Sequence, residues 1–168
     1  QVWLLEHPSV FTLGTAADAS NILNPGDIPV IQTDRGGEVT FHGPGQLVIY
    51  FLLDIKSKKI GPKTLVANLQ LIIQKVLQHY SIESSFIEGA PGVYVENKKI
   101  ASIGLRFSQG KSYHGISINV DMNLTPFSLI NPCGYVGLEV TQISDFDSKV
   151  TLEDVKSVAI KEIQTVLN

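Results

Sequence analysis

A chain of 168 residues that is 43% hydrophobic, with a formal net charge of −3, fits one domain with a sizeable core. A pI near 5.8 argues against nucleic acid as the main partner, and at a mean hydropathy of +0.15 no apolar run reaches the ~18 residues of a membrane helix. The single cysteine excludes an internal disulfide and a structural cysteine–zinc site, and fits a reducing compartment.

No basic segment followed by an apolar stretch marks a signal peptide. The chain begins at Gln1 and enters an apolar run at once, which suggests that an upstream piece is missing or was removed. Val2 to Leu5 reads as a strand, followed by a loop with Pro8. Thr15 to Ile31 is polar and broken by Pro25, Gly26 and Pro29, and is expected to be irregular. Gln46 to Asp54 is a continuous run rich in β-formers, expected as a central strand buried on both faces.

Lys56, Lys58, Lys59 and Lys63 form the one cluster of lysines, read as a solvated loop or a docking spot for an acidic protein. Pro62 then suits the first position of a helix. Its apolar stripe is Leu65, Val66, Leu69, Ile72, Ile73, Val76, Leu77 and Tyr80. Val93 to Val95 and Lys99 to Phe107 read as a hairpin around Glu96-Asn97-Lys98, and Gly115 to Met122 as a further strand. Thr125-Pro126 can start a short helix that Pro132 must end. The last segment is a helix capped by Thr151, with Asp154 in its first turn. Strands, one long helix, more strands and a final helix predict an α+β fold with a mixed sheet and no linker between independent domains.

Three segments and one bend carry candidate chemistry. Arg35-Gly36-Gly37-Glu38-Val39-Thr40-Phe41-His42-Gly43-Pro44-Gly45-Gln46 combines four glycines with groups able to hold and polarise a carbonyl. It lacks the Gly-Lys-Ser/Thr ending of a P-loop, and it reads equally as a structural loop with a satisfied histidine. In Lys98-Lys99-Ile100-Ala101-Ser102-Ile103-Gly104, a strand would put Lys99 on the face of Ala101 and Ile103, desolvated and functionally suspect. Spacing alone favours a hairpin tip with both lysines in water. In Ser112-Tyr113-His114-Gly115-Ile116-Ser117-Ile118-Asn119-Val120, a histidine and glycine entering a strand can line a pocket or sit at a strand edge. The four histidines lack metal-ligand spacing, so no metal is expected. Cys133 lies in Asn131-Pro132-Cys133-Gly134, where proline and glycine favour a bend. Its thiol is either inert and buried or a nucleophile.

Taken in order, RGGEVTFHGPGQ, GVYVENKKIASIG, HGISINV and NPCG resemble the octanoyltransferases of lipoate biosynthesis, from about Leu4 to Ile143. The resemblance implies the catalytic fold of biotin– and lipoate–protein ligases: α+β, a mixed sheet flanked by helices, and a small C-terminal subdomain at about 124–168. It implies transfer of an octanoyl group from acyl carrier protein to a lysine of lipoyl domains, those of 2-oxoacid dehydrogenase acyltransferase subunits and of glycine cleavage H protein. Cys133 matches the acyl-accepting cysteine. Lys99 matches the family's lysine, with the role of lowering the cysteine pKa, and Lys98 does not match. Arg35 to His42, Ser102 to Gly104 and Gly115 to Ser117 match segments lining the acyl site, with His114 in support. No cofactor is implied beyond the phosphopantetheine that delivers the octanoyl group. A monomer is expected in a bacterial cytoplasm, with a mitochondrial relative as the other home.

Two rivals follow from the same residues. An ATP-dependent lipoate– or biotin–protein ligase shares the fold and a pocket lysine but uses no cysteine nucleophile. A non-catalytic domain that binds an acylated carrier protein keeps the pocket but has no need of Cys133 beside Lys99.

Overall fold

The computed structural model describes residues 1–134 and 137–167, with the Cys133 side chain outside the described set. In chain order the elements are β1 (Val2–Leu5), β2 (Val10–Leu13), β3 (Val30–Gln32), β4 (Thr40–His42), β5 (Gln46–Phe51), β6 (Leu53–Asp54), α1 (Pro62–His79), β7 (Ser85–Ile87), β8 (Ala90–Val95), β9 (Lys98–Ser108), β10 (Lys111–Asn119) and α2 (Leu152–Leu167). Short 3-10 turns lie at Ala19–Asn21, Thr125–Leu129, Pro132–Gly134 and Ile143–Asp145.

The large sheet runs β1-β5-β10-β9-β8-β7, with β6 also paired to β10, and its strand pairs are antiparallel. The small sheet runs β3-β2-β4. The parallel component of the α+β fold is the β2–β3 pair, with one bridge between Lys99 and Val140. β8 and β9 form the expected hairpin. Glu96 and Asn97 both have positive φ, 49° and 66°, as a two-residue turn matched to strand twist requires.

Both helices pack on one face of the large sheet. Leu65, Leu69, Ile72, Ile73, Val76 and Leu77 of α1 are fully buried, and Val155, Val158, Ala159 and Ile163 of α2 join the same core. Those spacings give each helix one apolar stripe, which meets Leu47, Ile49, Phe51, Ile116 and Ile118 of the sheet. Pro62 follows Gly61 at the start of α1. The Asp154 amide donates to Thr151 Oγ1 at the start of α2, as capping predicts. A second core of Phe11, Val39, Phe41, Met122, Phe127 and Ile130 fills the space between the small sheet and the 125–129 turn.

Several boundaries differ from expectation. The run at Gln46–Asp54 is interrupted at Leu52, so it forms two strands rather than one. β10 starts at Lys111 and stops at Asn119, because its first half pairs with β6 and β9 before it reaches Gly115. The stretch from Thr15 to Ile31 is irregular only as far as Pro29. Val30 and Ile31 add a strand to β2, an edge pairing that no alternation announces.

Candidate active site

The two faces of the large sheet diverge along the same strands. Tyr50 pairs with Gly115 and Gly115 with Gly104; Val48 pairs with Ser117 and Ser117 with Ser102. Laterally paired residues share a face, so these two rows form a floor opposite the helices. Ile103 and Ile116 border the same cavity while their side chains join the helix-side core. The small sheet and the 33–39 loop roof this floor, leaving a cavity of about 420 Å³.

The glycines explain how the roof closes. The Gly36 amide donates to the Leu105 carbonyl at 2.9 Å, and a Cβ on Gly36 would sit 2.8 Å from that same oxygen. At Gly115 a Cβ would lie 2.0 Å from the Ile49 carbonyl. The preceding residue, His114, has φ of +61° inside a strand, a conformation that costs free energy for a residue with a side chain.

Arg35 is used to brace β2. It donates to the Thr12 carbonyl at 2.6 Å and to Thr12 Oγ1 at 2.9 and 3.2 Å. Glu38 accepts from the Asp18 amide and from Asn21 Nδ2 at 3.1 and 3.4 Å, tying the 19–21 turn to the cavity wall. Thr40 and Val39 are buried in that wall.

Three imidazoles and a phenol border the cavity: His7, His42, His114 and Tyr50. His7 Nε2 and Tyr50 Oη share a hydrogen bond of 2.5 Å, and the His7 and His42 ring centroids are 5.8 Å apart. Burial pushes the His42 pKa down to about 4, so the ring is neutral near neutrality, and it lowers that of His7. His114 Nε2 donates to Asp34 Oδ1 at 2.7 Å, and the Tyr113 hydroxyl donates to Asp34 Oδ2 at 2.6 Å. The Tyr113 bond, followed by that of His114, holds the Asp34 carboxyl below the usual range, and the same bond raises the Tyr113 pKa.

Lys99 is 3% exposed, so the reading that placed it in water at a hairpin tip is corrected. The β8–β9 register brings it opposite Tyr94 rather than onto the turn, and the turn itself is Glu96–Asn97. Its Nζ donates to the Pro91 carbonyl at 3.1 Å and lies 5.2 Å from the Tyr94 ring centroid. Pro91 and Gly89 border the cavity, so the amine sits directly behind that wall. Lys98 instead faces solvent beside Glu139, at 3.6 Å.

The structure thus gathers Arg35, Gly36, Gly37, Glu38, Val39, Thr40, His42, Ser102, Ile103, Gly104, His114, Gly115, Ile116 and Ser117 around one cavity. Phe41 is the exception: it turns into the second core, edge-on to Phe127 with centroids 5.6 Å apart. Alternation along β4 dictates this, because Thr40 and His42 face the cavity. Cys133 belongs to the Pro132–Gly134 turn, the bend its neighbours predict. A Cβ on Gly134 would lie 3.7 Å from Glu38, so this turn abuts a cavity-lining residue. The position of the thiol, and its distance from Lys99, lie outside the described residues.

His7, Val10, Thr12, Ile31, Thr33 and Tyr50 also line the cavity and were not foreseen. Val10 and Thr12 alternate with Phe11, and that two-residue period was the available signal. Nothing in the sequence marked His7 or Tyr50. Among the described residues no group of three histidine, cysteine or carboxylate side chains is arranged to hold a metal, and no helix is long and apolar enough to cross a membrane.

Comparison with known proteins bears on this cavity. Residues 1–164 match the model of the lipoyl protein ligase A/B catalytic domain. The chain is 52% identical over 168 residues to an octanoyltransferase of Vibrio cholerae, covering all of this chain and 77% of that one. Among solved structures, lipoate-protein ligase A bound with ATP superposes with a TM-score of 0.78 at 14% identity, over 99% of this chain and 72% of the other. Apo biotin protein ligase from Aquifex aeolicus gives 0.58 at 23% identity, over 73% of this chain and 53% of the other. These two likenesses establish the fold. The sequence matches establish the family: this chain belongs to the lipoyl protein ligase A/B catalytic-domain family and, within it, to the octanoyltransferases, which makes it an acyltransferase.

Proposed function

We propose that this acyltransferase moves an octanoyl group from the phosphopantetheine arm of acyl carrier protein to a lysine of lipoyl domains, through a thioester on Cys133. In the first step the Cys133 thiolate attacks the carrier thioester. A new C–S bond forms, the old one breaks, and the carrier thiolate leaves and takes up a proton. In the second step the ε-amine of the acceptor lysine attacks the enzyme thioester. The C–N bond forms, Cys133 departs as thiolate, and the amine gives up a proton. Thioester for thioester is nearly balanced, whereas thioester to amide is downhill and drives the sequence. The acyl group arrives activated, so the chemistry calls for no ATP.

A cysteine thiol has a pKa of ~8.5 and is mostly protonated near neutrality. An ammonium nearby favours the thiolate, and Lys99 is assigned that role. The observation that carries the reading is the cavity: about 420 Å³, walled by three of the four motif segments, with the buried Lys99 amine behind it and the Cys133 turn against Glu38. Its volume lies within the ~300–1,000 Å³ typical of small-molecule sites. Each CH₂ of an alkyl chain buried there contributes ~0.8 kcal/mol, so depth selects chain length in increments of that size. A reducing cytoplasm would keep the thiol available.

Intact mass after incubation with octanoyl–acyl carrier protein tests the mechanism. The expected product is a hydroxylamine-labile octanoyl adduct, absent in Cys133→Ser. If turnover proceeds and no adduct forms, the covalent route is wrong. Product formed from free octanoate only when ATP is present would favour a ligase instead.

A further inference from the structure

Behind the cavity lies a buried polar chain that none of the steps above uses. Gln46 is 1% exposed and Asn119 is 4% exposed. The direction of each bond is forced from the ends of the chain. The Thr141 carbonyl can only accept, so Asn119 presents its Nδ2 to it, at 2.9 Å. Asn119 Oδ1 therefore faces Gln46. Gln46 Nε2 donates to that oxygen at 2.9 Å and to the Phe41 carbonyl at 3.3 Å. With its amide fixed by two acceptors, Gln46 turns Oε1 to His42 Nδ1, at 2.7 Å.

An oxygen in that position requires a proton on Nδ1. A neutral imidazole carries one N–H, so Nε2 keeps its lone pair. Burial keeps the ring neutral. Nε2 has no hydrogen-bond partner among the described residues, and the ring lines the cavity. The far end of the chain is equally fixed, because the Thr141 amide donates to the Lys99 carbonyl at 3.0 Å.

We propose that Gln46 and Asn119 are positioning residues that lock His42 as its Nδ1–H tautomer, so that Nε2 faces the cavity as a hydrogen-bond acceptor for a substrate N–H beside the transferred acyl carbonyl. This rests on the octanoyl-transfer reading of the cavity. An octanoyl chain has no N–H to offer. Two groups flanking the carbonyl do: the amide of the carrier's arm and the amine of the acceptor lysine. Both present the same chemistry to Nε2, and the two half-reactions tell them apart.

The tautomer is read directly from the unmutated protein. With four histidines in the chain, ¹⁵N-histidine spectra are simple, and His42→Gln assigns the resonance. The expected pattern is a protonated Nδ1 and an unprotonated Nε2. An Nε2–H tautomer, or an even mixture, overturns the proposal without any variant having to fold. Gln46→Leu is expected to lose the fixed tautomer. Asn119→Ala is expected to loosen it less, because the Phe41 carbonyl still orients Gln46.

In rate measurements at saturating substrate, Gln46→Leu should slow one half-reaction about tenfold, the loss of one well-placed hydrogen bond. Slower acylation by octanoyl-pantetheine, with acylation by S-octanoyl propanethiol unchanged, assigns the N–H to the carrier's arm. Slower release to the lysine of a lipoyl domain assigns it to the amine. A lost tautomer with both half-reactions unchanged refutes the role. Should Gln46→Leu not fold, titration of the unmutated protein with octanoyl-pantetheine and with lysine amide replaces it: a change in the His42 Nε2 shift with either supports the acceptor role, and no change with both ends it. If the unmutated protein forms no acyl-enzyme at all, the covalent reading fails, while the tautomer result stands separately.

Discussion

The large sheet presents two faces made by the same strands, and they are specified in different ways. The helix face is redundant: Leu47, Ile49, Ile116 and Ile118 meet α1 and α2 through many interchangeable apolar contacts. The cavity face is not. It is lined by small residues, Gly104, Gly115, Ser102 and Ser117, and by His114 at positive φ, and a Cβ on Gly115 would meet the Ile49 carbonyl. Burial of apolar area tolerates exchange among residues of similar volume, whereas a close approach of backbone to backbone tolerates only glycine.

The comparison is broken most severely at Gly115. Gly115→Val should prevent folding of the central strands, because its side chain would collide with the Ile49 carbonyl. Soluble yield and near-ultraviolet circular dichroism measure this, and a well-folded variant would mean that β5 and β10 can part without cost. Next in size is Leu69→Ala on the helix face. It should lower stability by about 2–5 kcal/mol in urea unfolding while leaving octanoyl transfer at low temperature near normal.

The third is a pH effect on the cavity face. His42 binds a proton less readily folded, at about 4, than unfolded, at 6.5. Its contribution is therefore present above pH 6.5 and lost as pH falls toward 4, to an upper limit of roughly 3 kcal/mol. Stability curves for the unmutated protein should fall over that window, and those for His42→Asn should be flatter; parallel curves would contradict the assignment. The smallest effect is expected at the rim. Asp34→Asn should bring the Tyr113 ionisation back toward its ordinary value in a spectrophotometric titration, with little change in the unfolding midpoint.

How much of this the sequence revealed follows the same division. Both helices, the hairpin around Glu96-Asn97-Lys98 and the bend at Cys133 were legible, because each depends on local pattern or on proline and glycine. The family resemblance joined three glycine-bearing segments into one site that the residues alone left open, and their partners could not be read: Gly36 meets Leu105, and Gly115 meets Ile49, across long sequence separations. Phe41 was misplaced because strand β4 has only three residues, too few for alternation to declare itself. For Lys99, spacing left a hairpin tip and an inward strand position both open and favoured the tip, whereas register with Tyr94 gives the inward, buried one. His7 and Tyr50 were invisible, since their meeting requires β1 and β5 to be paired first.

The main chain of Lys99 leads to a practical end. Its amide donates to the Glu139 carbonyl at 2.9 Å and its carbonyl accepts from the Thr141 amide, so the seam at this position is stitched by main-chain atoms that every residue but proline possesses. Lys99→Met keeps those main-chain bonds and a similar volume beside Gly92, and gives up the Nζ bond to the Pro91 carbonyl. On the role proposed for Lys99, a Lys99→Met copy is expected to keep the fold and lose turnover, which would make it a reagent for trapping the enzyme with its substrates.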